Sequence, residues 1–155
     1  MPPVKLFVSY SHKDEALMEE LFEFLQPLKI ANKIEIWNDK AIPVGSIWDD
    51  EIKNALDEAD IFLFLISPSF LASNYINRIE IARAFELRSK GKKIVPIMLR
   101  PCDVDSHIVP GQEYRISDFM GLPKDRKPII KWETHEDGWI DVVNGLKRVC
   151  ESITK

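Results

Sequence analysis

Six consecutive residues, Ile61 to Ile66, form an unbroken apolar run, "IFLFLI", bounded by Asp60 and Ser67. A strand with one wet face alternates polar and apolar residues. A run without alternation is covered on both faces, which points to a central strand of a parallel sheet with helices above and below. The rest of the chain supplies the other parts. "VKLFVS" (4–9) is a second apolar strand, and in "KIEIWND" Ile34 and Ile36 alternate with Lys33 and Glu35, as suits a sheet edge. "KKIVPIML" is a further strand, although Pro96 has no N–H for the ladder, and "PIIKW" reads as a short fifth. Helical patterns lie between them. Leu17, Leu21, Phe24 and Leu28 make one face, and a second helix starts at an N-cap Ser46 and turns Ile47, Ile52, Ala55 and Leu56 inward. A third runs to about Ser89 with Gly91 as its stop, and Trp139 to Ile153 closes the chain. Alternating strands and helices predict an α/β fold, one domain over residues 1–155, with an open parallel sheet.

Composition narrows the function. Of 155 residues, 45% are hydrophobic and 30% charged, with a net charge of −4 and basic residues interspersed among acidic ones. No continuous footprint for nucleic-acid phosphates follows from that pattern. No apolar run approaches membrane-spanning length and no leader is apparent, so the expected location is cytoplasmic, with no membrane partner. Cys102 and Cys150 belong to no CxxC pair, and His12, His107 and His135 lack ligand spacing, so no metal is expected.

In open parallel sheets, ligands bind beyond the carboxyl ends of the strands. Here those ends lead into "SYSHKD", "WNDKAIPVG" and "SPSFLASNY", three polar segments expected to rim one cleft. The helix "SNYINRIEIARAFE" begins next to the third. On a helical wheel Glu80 falls within roughly 40° of Ile76, Ala84 and Leu87, an acid on an apolar strip. Such a group has a partner, a shifted pKa or a chemical task. The plain alternative is a surface acid beside Arg83, three residues on. The "HKDE" run reads as a solvated helix start. No GxGxxG, GxxxxGK[ST] or GxSxG motif occurs, and Ser67 stands where a phosphoacceptor domain needs Asp.

"LFVSYSHKD" followed by "IWNDKAIPVGSIWDDEIKNALDEADIFLFLISPSFLASNYINRIEIARA" resembles the Toll/interleukin-1 receptor (TIR) domain, bacterial type. The resemblance implies a flavodoxin-like open parallel five-stranded sheet, order 2-1-3-4-5, with helices on both faces. "WNDKAIPVG" is similar to the loop used in contacts between TIR domains, with Asn38 where an arginine is usual. Trp132 and Trp139 match the late Phe-Trp motif of receptor TIR domains only imperfectly.

Many bacterial and plant members cleave the nicotinamide–ribose bond of NAD+ with a glutamate early in the third helix, which the match makes Glu80. The resemblance therefore implies an NAD+ glycohydrolase or cyclase, activated by assembly in anti-phage defence or cell suicide, with NAD+ as substrate and no cofactor. Ser9, Tyr10 and Ser11 are then candidates to bind phosphate or ribose, and Trp37, Trp48 and Tyr75 to stack on a ring. Asp39 and Gly45 would shape the intervening loop. Ser9 and Ser11 serve equally well as turn caps, and the tryptophans as core cover. A second reading is a non-catalytic module that self-associates, or binds other TIR domains, through Asp39–Gly45. A nucleoside-processing transferase is the third.

Overall fold

The computed structural model describes residues 2–154. Four parallel strands, β1 (Val4–Ser9), β2 (Ile34–Trp37), β3 (Ile61–Ile66) and β4 (Lys93–Met98), form one sheet in the order β2-β1-β3-β4. Every residue of β3 is buried, as its unbroken apolar run requires. Alternation within the run sorts the two faces. Ile61, Leu63 and Leu65 join Leu6 and Val8 on one side, under α1 (Glu15–Ile30) and α5 (His135–Thr154). Phe62, Phe64 and Ile66 join Phe7 on the other, under α2 (Trp48–Glu58), the short α3 (Pro68–Ala72) and α4 (Ala82–Leu87).

The helices follow the expected pattern with shifts. On α1 the buried residues are Met18, Leu21, Leu25 and Leu28, so the inward face is rotated slightly from the one anticipated, and Leu17 and Phe24 pack at its margin. On α2 Ile52 and Leu56 are buried, whereas Ile47 is 68% exposed. Ile47 occupies the N-cap in place of Ser46, which puts its side chain outside the helical face. Gly91, at φ +85°, ends the segment after α4 in a conformation that favours glycine.

The expected fifth strand is absent. Pro128 precedes Ile129–Lys131, which wind into a 3₁₀ turn, and Trp132 Nε1 donates to the Lys127 carbonyl at 2.8 Å across it. Proline removes a ladder donor at the start of the segment, and Ile129 buries its side chain against α5 instead. Leu122 meets the outer edge of β4 in a single bridge. Its N–H donates to the Pro96 carbonyl and its carbonyl accepts from Met98 N–H, both at 2.8 Å. A strand residue turns its nitrogen and its carbonyl to the same side. The missing N–H of Pro96 therefore faces this sparsely paired edge, where it costs little.

Candidate functional site

The carboxyl ends of β1 and β2 and the segment after α3 converge. Between them lies a small cavity of about 30 Å³, lined by Phe7, Val8, Tyr10, Trp37, Asp39, Trp48, Ile52 and Glu80. Trp37 stacks on Phe7, with ring centroids 5.0 Å apart and 16° between planes. Trp48, half exposed at the start of α2, packs on Tyr75 at 4.7 Å, and the Tyr75 hydroxyl donates to Asp49 at 3.1 Å. Of the expected site residues, Ser9, Ser11, Gly45 and Tyr75 do not line the cavity. Ser11 Oγ accepts from Lys13 N–H and caps the turn before α1. Gly45 lies in the exposed loop at φ +93°.

Glu80 sits in a π-helical turn, Ile76–Ile81, that leads into α4. Its carboxyl pKa is raised to about 7, chiefly by burial and further by the negative charge of Asp39. Ser9 and His12 oppose the shift. Ser9 is almost wholly buried, and its Oγ has no hydrogen bond of ordinary geometry among the described residues. It lies close enough to Glu80 to favour the charged form without a regular bond. The plain alternative for Glu80 fails on geometry. Arg83 is committed elsewhere, with Nε 2.9 Å from Asp57 and Nη1 3.1 Å from Glu86.

Asp39 links the loop to the start of α1. It accepts from the Tyr10 hydroxyl at 3.0 Å and lies 2.5 Å from His12 Nε2, while Lys40 reaches Glu15 at 2.8 Å and Glu19 at 3.3 Å. Burial and the Asp39 charge hold the Tyr10 phenol well above its ordinary pKa. An open depression of about 390 Å³ lined by Tyr10, His12, Glu15, Asp39 and Lys40 adjoins the cavity. Because a like charge disfavours ionisation, Asp39→Asn is expected to lower the Glu80 midpoint from about 7. A carboxyl ¹³C titration measures this; an unchanged or raised midpoint would contradict the arrangement.

Some of the site is invisible in the sequence. Asp14, in the run expected to be solvated, is 3% exposed. It accepts from the Ser67 hydroxyl and from Arg100 Nε at 2.8 Å, and Arg100 Nη2 reaches Ser69 at 3.0 Å. This network joins the ends of β1, β3 and β4. Ser67 closing a wholly apolar strand, and Arg100 just after the next, were the available signals. His12 stays solvated as expected, with its side chain 74% exposed, and its Nε2 also engages Asp39.

The family model described as "TIR domain" matches residues 6–129. The chain belongs to the TIR domain family. It is 35% identical over 156 residues to the uncharacterized protein y4lF of Sinorhizobium fredii, matching all of this chain and 46% of that protein, so it spans about half the relative's length. Among solved structures it resembles a prokaryotic SEFIR domain, with TM-score 0.56 and 16% identity over 95% of this chain and 92% of that one. It also resembles the TIR domain of the Toll-related receptor TRR-2 of Hydra magnipapillata, with TM-score 0.52 and 17% identity over 92% and 97%. These two likenesses concern the fold, which in this TIR domain carries four strands where five were expected. No helix among the described residues is long and apolar enough to cross a membrane.

Proposed function

We propose that this TIR domain cleaves the nicotinamide–ribose bond of NAD+, with Glu80 stabilising the ribosyl cation. The observation that carries the reading is the Glu80 carboxylate, half-buried at the strand ends, raised to about 7 and free of any cationic salt-bridge partner among the described residues. Nicotinamide leaves NAD+ as a neutral base, so the leaving group needs no general acid. The developing positive charge on the ribose is the obstacle, and a fixed carboxylate in partly dry surroundings opposes it more strongly than one in water. Ser9, Tyr10 and Asp39 supply polar atoms beside it, and Trp37 and Trp48 supply ring faces. The cationic nicotinamide ring would itself favour the ionised carboxylate on binding.

A cavity of about 30 Å³ has room for about one water, whereas sites for small molecules run to several hundred Å³. Productive binding therefore requires the 39–48 segment to shift and join the cavity to the depression beside it. Assembly of several copies is the proposed trigger, in keeping with an effector of anti-phage defence or cell suicide. Concentrated or forcibly assembled protein should release nicotinamide from NAD+, and Glu80→Ala should reduce the rate by about 10²- to 10³-fold. Glu86, exposed and paired with Arg83, is the control: Glu86→Ala should keep the activity. Retained turnover in Glu80→Ala would remove the assignment.

The second reading, a non-catalytic module that binds other TIR domains, is favoured by one observation. Val44 is fully exposed and Ile47 is 68% exposed beside it, an apolar tip on the loop expected to mediate self-association. That reading predicts association lost on Val44→Asp with NAD+ untouched at every concentration.

A further inference from the structure

The helix that carries Glu80 is irregular at a telling place. From Ile76 to Ile81 the backbone makes a π turn before regular α-helix resumes. Such turns have poorer intrinsic geometry than α-helix and occur where surrounding contacts hold them, frequently at functional sites. Here Asn77 provides the contacts. Its Nδ2 donates to the Leu71 carbonyl at 2.9 Å and to the Ser73 carbonyl at 2.8 Å, which tie the turn to the end of α3. With the amide nitrogen committed to two acceptors, Oδ1 is the accepting end.

That Oδ1 lies 2.7 Å from Nε2 of His107, thirty residues away in sequence. An acceptor at this position requires the proton on Nε2. Nδ1 is buried and without a hydrogen-bond partner among the described residues, and burial holds the ring below its ordinary pKa. His107 is thus a neutral ring in one tautomer, donating to Asn77. Its loop is anchored on both sides. Val104 and Val109 are buried in the same cluster as Ile76, Ile81 and Phe85. The contact is therefore part of a seated loop and not a side chain reaching across solvent.

We propose that His107 is a positioning residue: by fixing Asn77 it holds the π turn, and so the direction in which Glu80 projects toward Ser9. Asn77 precedes Glu80 by three residues, less than one turn. Relaxation to regular helix would swing the carboxylate around the axis relative to Asn77 and change what faces it, namely Tyr10 and Asp39 across the cavity, Ser9 and His12 near enough to favour its charged form, and Tyr75 on its own segment. The inference rests on the NAD+ reading for its effect on rate, but its effect on the carboxylate's surroundings does not need that reading.

The test uses the full chain with His107→Ala, His107→Gln and Glu80→Gln. Glutamine places an amide N–H near the position of Nε2 and restores the donor; alanine does not. For His107→Ala, kcat should fall about tenfold with KM within about threefold of the parent, the mark of misplaced chemistry rather than lost binding. The Glu80 carboxyl midpoint, followed by ¹³C NMR, should move away from about 7 in the same variant. His107→Gln should recover both. Should His107→Ala fail to fold, His107→Asn, whose amide is too short to reach Asn77, replaces it with the same expectation. Parental kcat and midpoint in the donor-less variant, or equal impairment in His107→Gln, overturns the proposal. If the parent cleaves NAD+ and Glu80→Gln does not, that outcome removes the clamp alone. If no chain cleaves NAD+, the titration decides: a midpoint moved in His107→Ala and restored in His107→Gln keeps the clamp while the NAD+ reading falls.

Discussion

Asp14→Ala is expected to lower the unfolding free energy by about 2–4 kcal/mol, the largest single-residue loss in the polar part of this domain. The carboxylate is 1% exposed and takes two strong hydrogen bonds, from the Ser67 hydroxyl and from Arg100 Nε. Breaking a buried ion pair from one side typically costs about 3–5 kcal/mol, because the partner is left desolvated and unpaired. Two features set the expectation somewhat lower. Arg100 is one-third exposed and can recover some hydration, and Ser67 Oγ still accepts from Phe70 N–H. For a domain of this size the loss corresponds to a fall in Tm of roughly 5–15 °C. Asp14→Asn should cost less, since an amide oxygen can still accept from Arg100. Urea unfolding followed by tryptophan fluorescence measures both. A change below about 1 kcal/mol for alanine would mean that the network contributes little beyond the cost of desolvating its members.

The same residue marks the limit of what was legible. Elements whose identity depends on local periodicity were readable: β3 from its unbroken run, β2 from its alternation, α1 and α5 from their apolar faces. Asp14 was not, because an acid at the start of a helix is ordinarily solvated, and its partner Arg100 lies 86 residues away. "PIIKW" carries a strand's composition. Proline at its start, the Trp132 bond to Lys127 and the burial of Ile129 against α5 together turn it into a 3₁₀ segment, and the last of these is a tertiary contact that local composition does not reveal. In the candidate site the apolar strip around Glu80 was visible on the wheel, and Ile76, Ala84 and Leu87 are all buried. The π turn was not, since it has no local composition signature and is held by Asn77 and His107 across thirty residues. Trp37, Trp48 and Asp39 reach the cavity as the strand-end rule requires.

Glu80→Gln is expected to make the domain more stable at pH 8 while removing NAD+ cleavage, and the pH dependence separates this from a merely structural acid. In the folded chain the carboxyl ionises near pH 7, against 4.5 in an ordinary setting. A carboxyl raised on folding binds its proton more tightly in the native state. Below about pH 4.5 it is protonated in both states and contributes no penalty. Between 4.5 and 7 the unfolded chain ionises first and stability falls; above about 7 the full cost of the buried charge is present. Glutamine carries no such charge. The variant should therefore gain about 1–2 kcal/mol at pH 8, discounted for the group's partial exposure, or roughly 2–8 °C in Tm. The gain should shrink on acidification and vanish near pH 4.5. An acid held by a salt bridge would behave oppositely, losing stability on neutralisation at pH 8. A destabilised Glu80→Gln at that pH would thus remove the strained, unpaired carboxylate on which the proposed chemistry depends. A stabilised variant that no longer releases nicotinamide would be the pattern of a residue kept for its charge at a cost to the fold.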